Sequence, residues 1–287
     1  MKERSLLGVA LMISSQLGFT SMWICIKLSG VEFPLFEIVF FRSIVAAIII
    51  GALIIKNGMS YGFKNKKLLC IRCLSGSLGM IFSYYAITKI GIANSITLLN
   101  TFPLFVALLA PIFIKEKTTI KLLFWILLAF IGVIFIVKPD QHIFRNIALL
   151  ALASGLFSGI AHISIRQLHL TDHFLSIAFY YALFTTLISI PVMIPSFKMP
   201  SYTGWMVLTG AGIFGAIAQL LITYAYKWSQ ANFIAPLSNT SVLFAFIFEW
   251  IIWNSVPDIK TVIGATLIVI SVSIISYMQT KKRFEKY

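Results

Sequence analysis

One arginine stands inside an apolar run: in Phe36-Glu37-Ile38-Val39-Phe40-Phe41-Arg42, the guanidinium lies about eight residues, hence about 12 Å, into a helix that begins near Leu35. A charge at that depth in hydrocarbon costs several kcal/mol unless it faces a cavity or a partner. Its fork of donors suits a carboxylate or another strong acceptor, so the chemistry Arg42 offers is solute binding. A structural ion pair or a snorkelling side chain is the plainer alternative. Glu37, five positions earlier, is about 140° away around a helix, so the two form no same-face pair. It reads either as a solvated headgroup-region carboxylate or as a protonatable coupling group. Two dipeptides, Asn100-Thr101 and Asn239-Thr240, place amides in hydrocarbon, where each must find hydrogen-bond partners. They would line a solute site or bind helix to helix. Pro103 removes a backbone donor just after the first pair and could kink a gating helix. Trp23, Tyr85 and Tyr224, with Tyr84 beside them, offer faces for a cationic or heteroaromatic solute, or form an interfacial belt. His162 could titrate during a reaction cycle, or be a hydrogen-bonded structural residue. Gln16, Gln219 and Glu249 are further buried-polar candidates.

Other familiar chemistry is missing. Cys70-Ile71-Arg72-Cys73 has metal spacing but no second pair, and His169 and His173 fall in a short turn, so no metal is expected. No glycine-rich phosphate loop, Ser-His-Asp set or paired carboxylates can be argued, so neither a cofactor nor nucleotide drive is expected. Gly76, Gly79, Gly155 and Gly159 read as close-packing positions.

These residues need elements suited to lipid. The 287 residues are 59% hydrophobic and only 11% charged, too few charges to cover a soluble core. The apolar residues fall in ten blocks, mostly about 18 to 22 residues long, the length that crosses hydrocarbon as a helix. They lie near 6–26, 35–55, 68–87, 92–114, 122–137, 147–165, 174–194, 205–226, 232–253 and 261–278. The net charge of +14 belongs to the connections between them and calls for no nucleic-acid partner. Counting Arg72 with the loop charges, about sixteen Lys and Arg fall on one side and about six on the other, which puts both termini in the cytosol.

The chain is also self-similar at an offset of about 139 residues, the kind of internal repeat that sets a fold. Cys25-Ile26-Lys27 faces Ser164-Ile165-Arg166, Tyr85-Ala86 faces Tyr224-Ala225, Asn100-Thr101 faces Asn239-Thr240, and Arg42 faces Tyr181. The expected architecture is an all-α polytopic membrane protein of ten transmembrane helices. Residues 1–139 form a first five-helix repeat, 140–278 a second, and 279–287 a basic cytosolic tail. Five spans per half invert the second repeat, and two such units can exchange inward-open and outward-open shapes about a site near the midplane.

Trp23 to Lys27, Pro34, Phe36 to Arg42, the stretch Ala93 to Lys117 with Asn100-Thr101-Phe102-Pro103-Leu104-Phe105, and its close Ile114-Lys115-Glu116-Lys117 resemble EamA-type carriers of the drug/metabolite transporter superfamily. The Phe-Glu-x-x-Phe-Phe-Arg form resembles the branch that includes S-adenosylmethionine uptake transporters. Asn254-Ser255-Val256-Pro257 replaces a Gly-Glu that many members carry. The resemblance implies a secondary transporter, not an enzyme, moving a small polar or amphipathic metabolite, amino-acid-like or nucleoside-like, across the inner membrane. Proton-coupled efflux of drugs or metabolites is the nearest rival; a non-transporting membrane subunit or an intramembrane enzyme are rivals of another class. The partners expected are the solute and the lipid bilayer, with a homodimer allowed. Arg42 and the two Asn-Thr pairs hold the solute, Trp23, Tyr85 and Tyr224 shape the ends, Glu37 or His162 couples protons, and Pro103 serves gating.

Overall fold

The computed structural model describes residues 2–58, 62–113, 120–137, 142–168, 171–228 and 235–284, with no strand among them. Lys115 to Lys117, His169 and the tip of the tail at 285–287 therefore lie outside the described residues. The helices are α1 (Lys2–Ser29), α2 (Leu35–Lys56), α3 (Lys66–Ile90), α4 (Ile92–Leu99), α5 (Phe102–Phe113), α6 (Ile120–Val137), α7 (His142–Leu168), α8 (Phe174–Met193), α9 (Tyr202–Trp228), α10 (Thr240–Trp253) and α11 (Ile259–Phe284). Among the described residues, seven stretches are long and apolar enough to cross a membrane, and three shorter apolar ones lie at Leu123–Ile136, Leu237–Trp253 and Ile259–Ile275.

Local chemistry sets several boundaries. Pro34, extended at φ −60° and ψ 148°, precedes α2, and its carbonyl accepts from Glu37 N at 3.1 Å. Asn65 Oδ1 accepts from Leu68 N at 3.1 Å to cap α3. His173 caps α8 by accepting from Leu175 N, so one of the two histidines of the short turn is a helix cap.

The span expected at 92–114 is not one helix. It stops at Leu99, turns through Asn100 and Thr101, and restarts at Phe102. Thr101 N and Leu104 N both donate three residues back, to Leu98 O and Thr101 O, and Pro103 has no N–H to give Leu99. The equivalent stretch opens as a 3-10 turn, Ala235–Asn239, before α10.

The most extensive packing joins helices on opposite sides of residue 139: α1 on α9, α2 on α8, α3 on α7 and α6 on α11. Small residues permit it, as expected where association relies on close approach rather than on expelling water. Ser15 Oγ donates to Ala218 O at 2.8 Å, and Ala46 and Ala47 meet Ala182. At the α6–α11 crossing a Cβ on Gly132 would come within 2.7 Å of Gly264 O. Buried aliphatics including Ile26, Ile38, Ile87, Ile96, Leu104 and Leu208 fill the centre. Leu123, Phe124, Leu127, Ile131 and Ile134 on α6 and Ile247, Trp250 and Ile251 on α10 stay exposed, an apolar surface suited to acyl chains.

Candidate solute site

Arg42 sits on α2 with its Nε buried and without a hydrogen-bond partner. Tyr84 of α3, itself buried, is within hydrogen-bonding reach of the guanidinium, and its hydroxyl also donates to Met22 Sδ of α1 at 3.8 Å. Gly215 of α9 lies alongside: a Cβ there would be 3.6 Å from both Nε and Nη2. Arg42 thus points among α1, α3 and α9, not toward lipid.

Arg72 is the second feature of the site. Unlike the loop charges it was counted with, it lies inside α3, with its Nε also buried and unpartnered. Its guanidinium stacks on the Tyr181 ring of α8, Cζ 4.1 Å from the centroid, a cation–π contact that strengthens away from water. It folds back along its own helix over Gly76, where a Cβ would come within 1.9 Å of Nη1 and 2.9 Å of Tyr181. Tyr181 is held in place by donating its hydroxyl to Gly76 O at 3.3 Å. Gly76 is therefore more than a packing position. Arg72 and Arg42 are near enough to act on each other electrostatically. His162 of α7, also within electrostatic reach of Arg72, stacks on Phe102 at the start of α5, centroids 4.3 Å apart and planes 18° apart.

The other expected residues are placed as follows. Asn100 Nδ2 donates to Ser241 Oγ, and Asn239 Nδ2 donates to Ser273 Oγ, both at 3.0 Å. Thr101 and Thr240 each donate back to a carbonyl three residues earlier. These donors are engaged within the protein, and the Asn100 bond ties the break between α4 and α5 to the start of α10. Trp23 is buried in the core and stacks on Phe19. Tyr85 and Tyr224 are exposed; the tyrosines gathered around the arginines are Tyr84 and Tyr181. Pro103 is buried as the second residue of α5. Glu37 is wholly buried rather than solvated; Oε2 accepts from Lys198 N at 3.1 Å, while Oε1 has no partner.

At the end of the bundle that carries the C-termini of α1 and α3, Lys27 of α1 forms an ion pair with Glu249 of α10. The same carboxylate accepts from Ile92 N at 3.1 Å and Ala93 N at 2.8 Å, capping α4, where a negative charge is favoured. Lys27 Nζ also lies 4.0 Å over the Trp253 ring.

The EamA-like transporter family matches this chain over residues 6–138 and again over 145–277. The chain belongs to that family. As an EamA-type carrier of the drug/metabolite transporter superfamily it is a multi-pass membrane protein and a transporter of small metabolites, not an enzyme. It is similar to the pseudopaline exporter of Pseudomonas aeruginosa, 31% identical over 96% of this chain and 97% of that one. A riboflavin transporter of Vibrio cholerae is 29% identical over 66% of this chain and 64% of its own. A solved crystal structure shares the fold at a TM-score of 0.68 with 14% identity, covering 96% of this chain and 98% of that one.

Within this EamA-type carrier, sequence reasoning missed Arg72, Tyr84 and Tyr181 as one group. Two signals were present: Tyr181 occupies the repeat position of Arg42, and Gly76 follows Arg72 by one helical turn.

Proposed function

We propose that this chain is a secondary carrier moving a small polar or amphipathic metabolite, amino-acid-like or nucleoside-like, across the inner, plasma membrane by alternating access. In this reading ten membrane helices form two inverted five-helix repeats, 1–139 and 140–278, with both termini and the tail 279–287 in the cytosol. The observation that carries it is Arg42, half-buried with a buried, unpartnered Nε, between helices that come from both repeats. Support for the repeat comes from the two family matches, which begin at residues 6 and 145, and from the four helix pairs that cross between the halves. The seven long and three shorter apolar stretches support the count of spans.

The solute enters beside Arg42, which fixes an acceptor group through its fork of donors. Breakage of the Lys27–Glu249 pair frees the start of α4, and the turn at Asn100-Thr101 lets α4 swing while α5 stays seated. Export is the second reading, favoured by similarity over nearly the whole chain to a protein named as an exporter. There Glu37, buried with one unpartnered oxygen, or His162 carries the coupling proton.

The test is an untargeted comparison of metabolites inside and outside cells with the protein, without it, and with Arg42→Ala at equal membrane abundance. The expected result is a shift confined to one solute class, present with the natural protein and lost in the variant. An unchanged shift in Arg42→Ala would overturn the assignment of Arg42 as the solute anchor.

A further inference from the structure

We infer that Arg42 and Arg72 together form a two-cation site that selects solutes carrying two negative charges, dicarboxylates or phosphate monoesters, over zwitterions and cations. This rests on the carrier reading above and names its substrate class.

Two guanidiniums from α2 and α3 act on each other electrostatically, and neither has a carboxylate partner among the described residues. Three of the described acids are engaged elsewhere. Glu249 is paired with Lys27 and caps α4, Glu37 accepts from Lys198 N, and Asp172 accepts from Lys64 N. Two half-buried like charges within electrostatic reach repel, a cost that a bound anion reduces. A ligand of about −2 balances the two charges.

Geometry points the same way. The Tyr181 ring covers one face of Arg72 and its hydroxyl is within hydrogen-bonding reach of the guanidinium, so the rest of the N–H edge, Nε included, is the binding surface, and such an edge takes two oxygens side by side. The Nε of each arginine is unpartnered. Glycines lie beside both: a Cβ on Gly76 would meet the Arg72 guanidinium and the Tyr181 ring, and one on Gly215 would meet Met22 Sδ at 2.8 Å and Arg42 at 3.6 Å, so each guanidinium runs close to glycine backbone. Tyr84 adds a neutral hydroxyl at Arg42. The sulfonium or ammonium of a zwitterion would stand beside two guanidiniums with a single carboxylate to offset them.

The experiment uses the purified full chain in nanodiscs and reads the unfolding midpoint with single probes. The dianions are succinate, 2-oxoglutarate and glycerol 3-phosphate. The counterparts are succinamide, glycerol, glutamine and S-adenosylmethionine. The expected result is a rise of about 2–5 °C with at least one dianion and none with its uncharged counterpart. Protection by the carboxylates alone or by the phosphate alone supports the site and tells the two sources apart. Arg42→Gln and Arg72→Gln should each abolish the rise, and Arg72→Lys should keep part of it. Equal or larger protection by glutamine, succinamide or S-adenosylmethionine overturns the inference, as does a rise of full size in Arg72→Gln or no protection by any dianion. Where a variant loses its monodisperse size-exclusion peak, the charge series on the natural protein decides alone. The metabolite comparison separates the two readings: a shift confined to neutral or cationic solutes leaves the carrier standing without the dianion site. Dianion binding with no solute moved leaves the site without the carrier.

Discussion

Arg72 owes its position to a single missing carbon. Because Gly76 has no Cβ, the guanidinium lies back along α3, and a methyl there would stand 1.9 Å from Nη1. The obstructed atom is the far end of a flexible side chain, so Gly76→Ala should fold and reach the membrane while displacing Arg72 from the Tyr181 ring. Solute transport should fall by about tenfold, equivalent to about 1.4 kcal/mol, with protein abundance unchanged; full transport in that variant would show that the stacked arginine does not matter. Arg42 was legible in the sequence because a lone cation in an apolar run must turn inward. Arg72 was not, because it follows Lys66 and Lys67 near the start of its helix, where a side chain can equally snorkel outward. Its direction depends on Tyr181, 109 residues away in the chain (181 − 72). Tyr84 and Tyr85 show the same limit: adjacent residues differ by about 100° around a helix, and sequence pattern does not say which one faces the site.

The two ends of α4 differ. At its start, Gly91 has φ 88° and ψ 167°, a region that essentially only glycine enters at no cost. A Cβ there would also meet Glu249 Oε1 at 2.3 Å. Gly91→Ala should therefore destabilise the protein by about 1–3 kcal/mol and lower its unfolding midpoint in detergent; an unchanged midpoint would mean that the junction relaxes freely. At its other end the helix stops because Asn100 turns at ψ 2° and Pro103 cannot donate. Pro103→Ala restores that donor, so α4 and α5 can merge into one stiffer rod. If the break is a hinge, turnover should slow by about tenfold while solute affinity changes less than about twofold, a split read by comparing binding with transport. Pro103 made a kink legible in the sequence. The full interruption was not, because it depends on Asn100 bonding Ser241 across the bundle.

At the scale of the molecule, the class was legible from composition alone, since so few charges cannot solvate a soluble core. What holds the halves together was less so, because pairings such as α1 with α9 run through Gly, Ala and Ser, residues that carry little pattern in an apolar sequence. Those pairings are long and small-residue-packed. The contacts at the two ends include polar ties beside apolar ones. One end has Lys27 with Glu249 and the Lys198 backbone on Glu37; the other has Lys64 N on Asp172 at 2.7 Å and Phe63 against Tyr180. Alternating access requires the ends to open in turn while the long pairings persist, so the polar ties are where the equilibrium is set. Glu249→Gln removes the charge from the Lys27 tie yet keeps an oxygen for the α4 amides, which isolates the ion pair from the cap. With Cys25, Cys70 and Cys73 replaced by serine and Ile92→Cys introduced at a wholly buried position, maleimide labelling reports opening at that end. Labelling should accelerate by about tenfold in Glu249→Gln, the change expected for about 1.4 kcal/mol of lost closure. Lys27→Met should do the same. Combining the two should add little, because both remove one interaction. Labelling that keeps its natural rate in both variants would mean that the end is closed by apolar packing, and the ion pair would then have no part in gating.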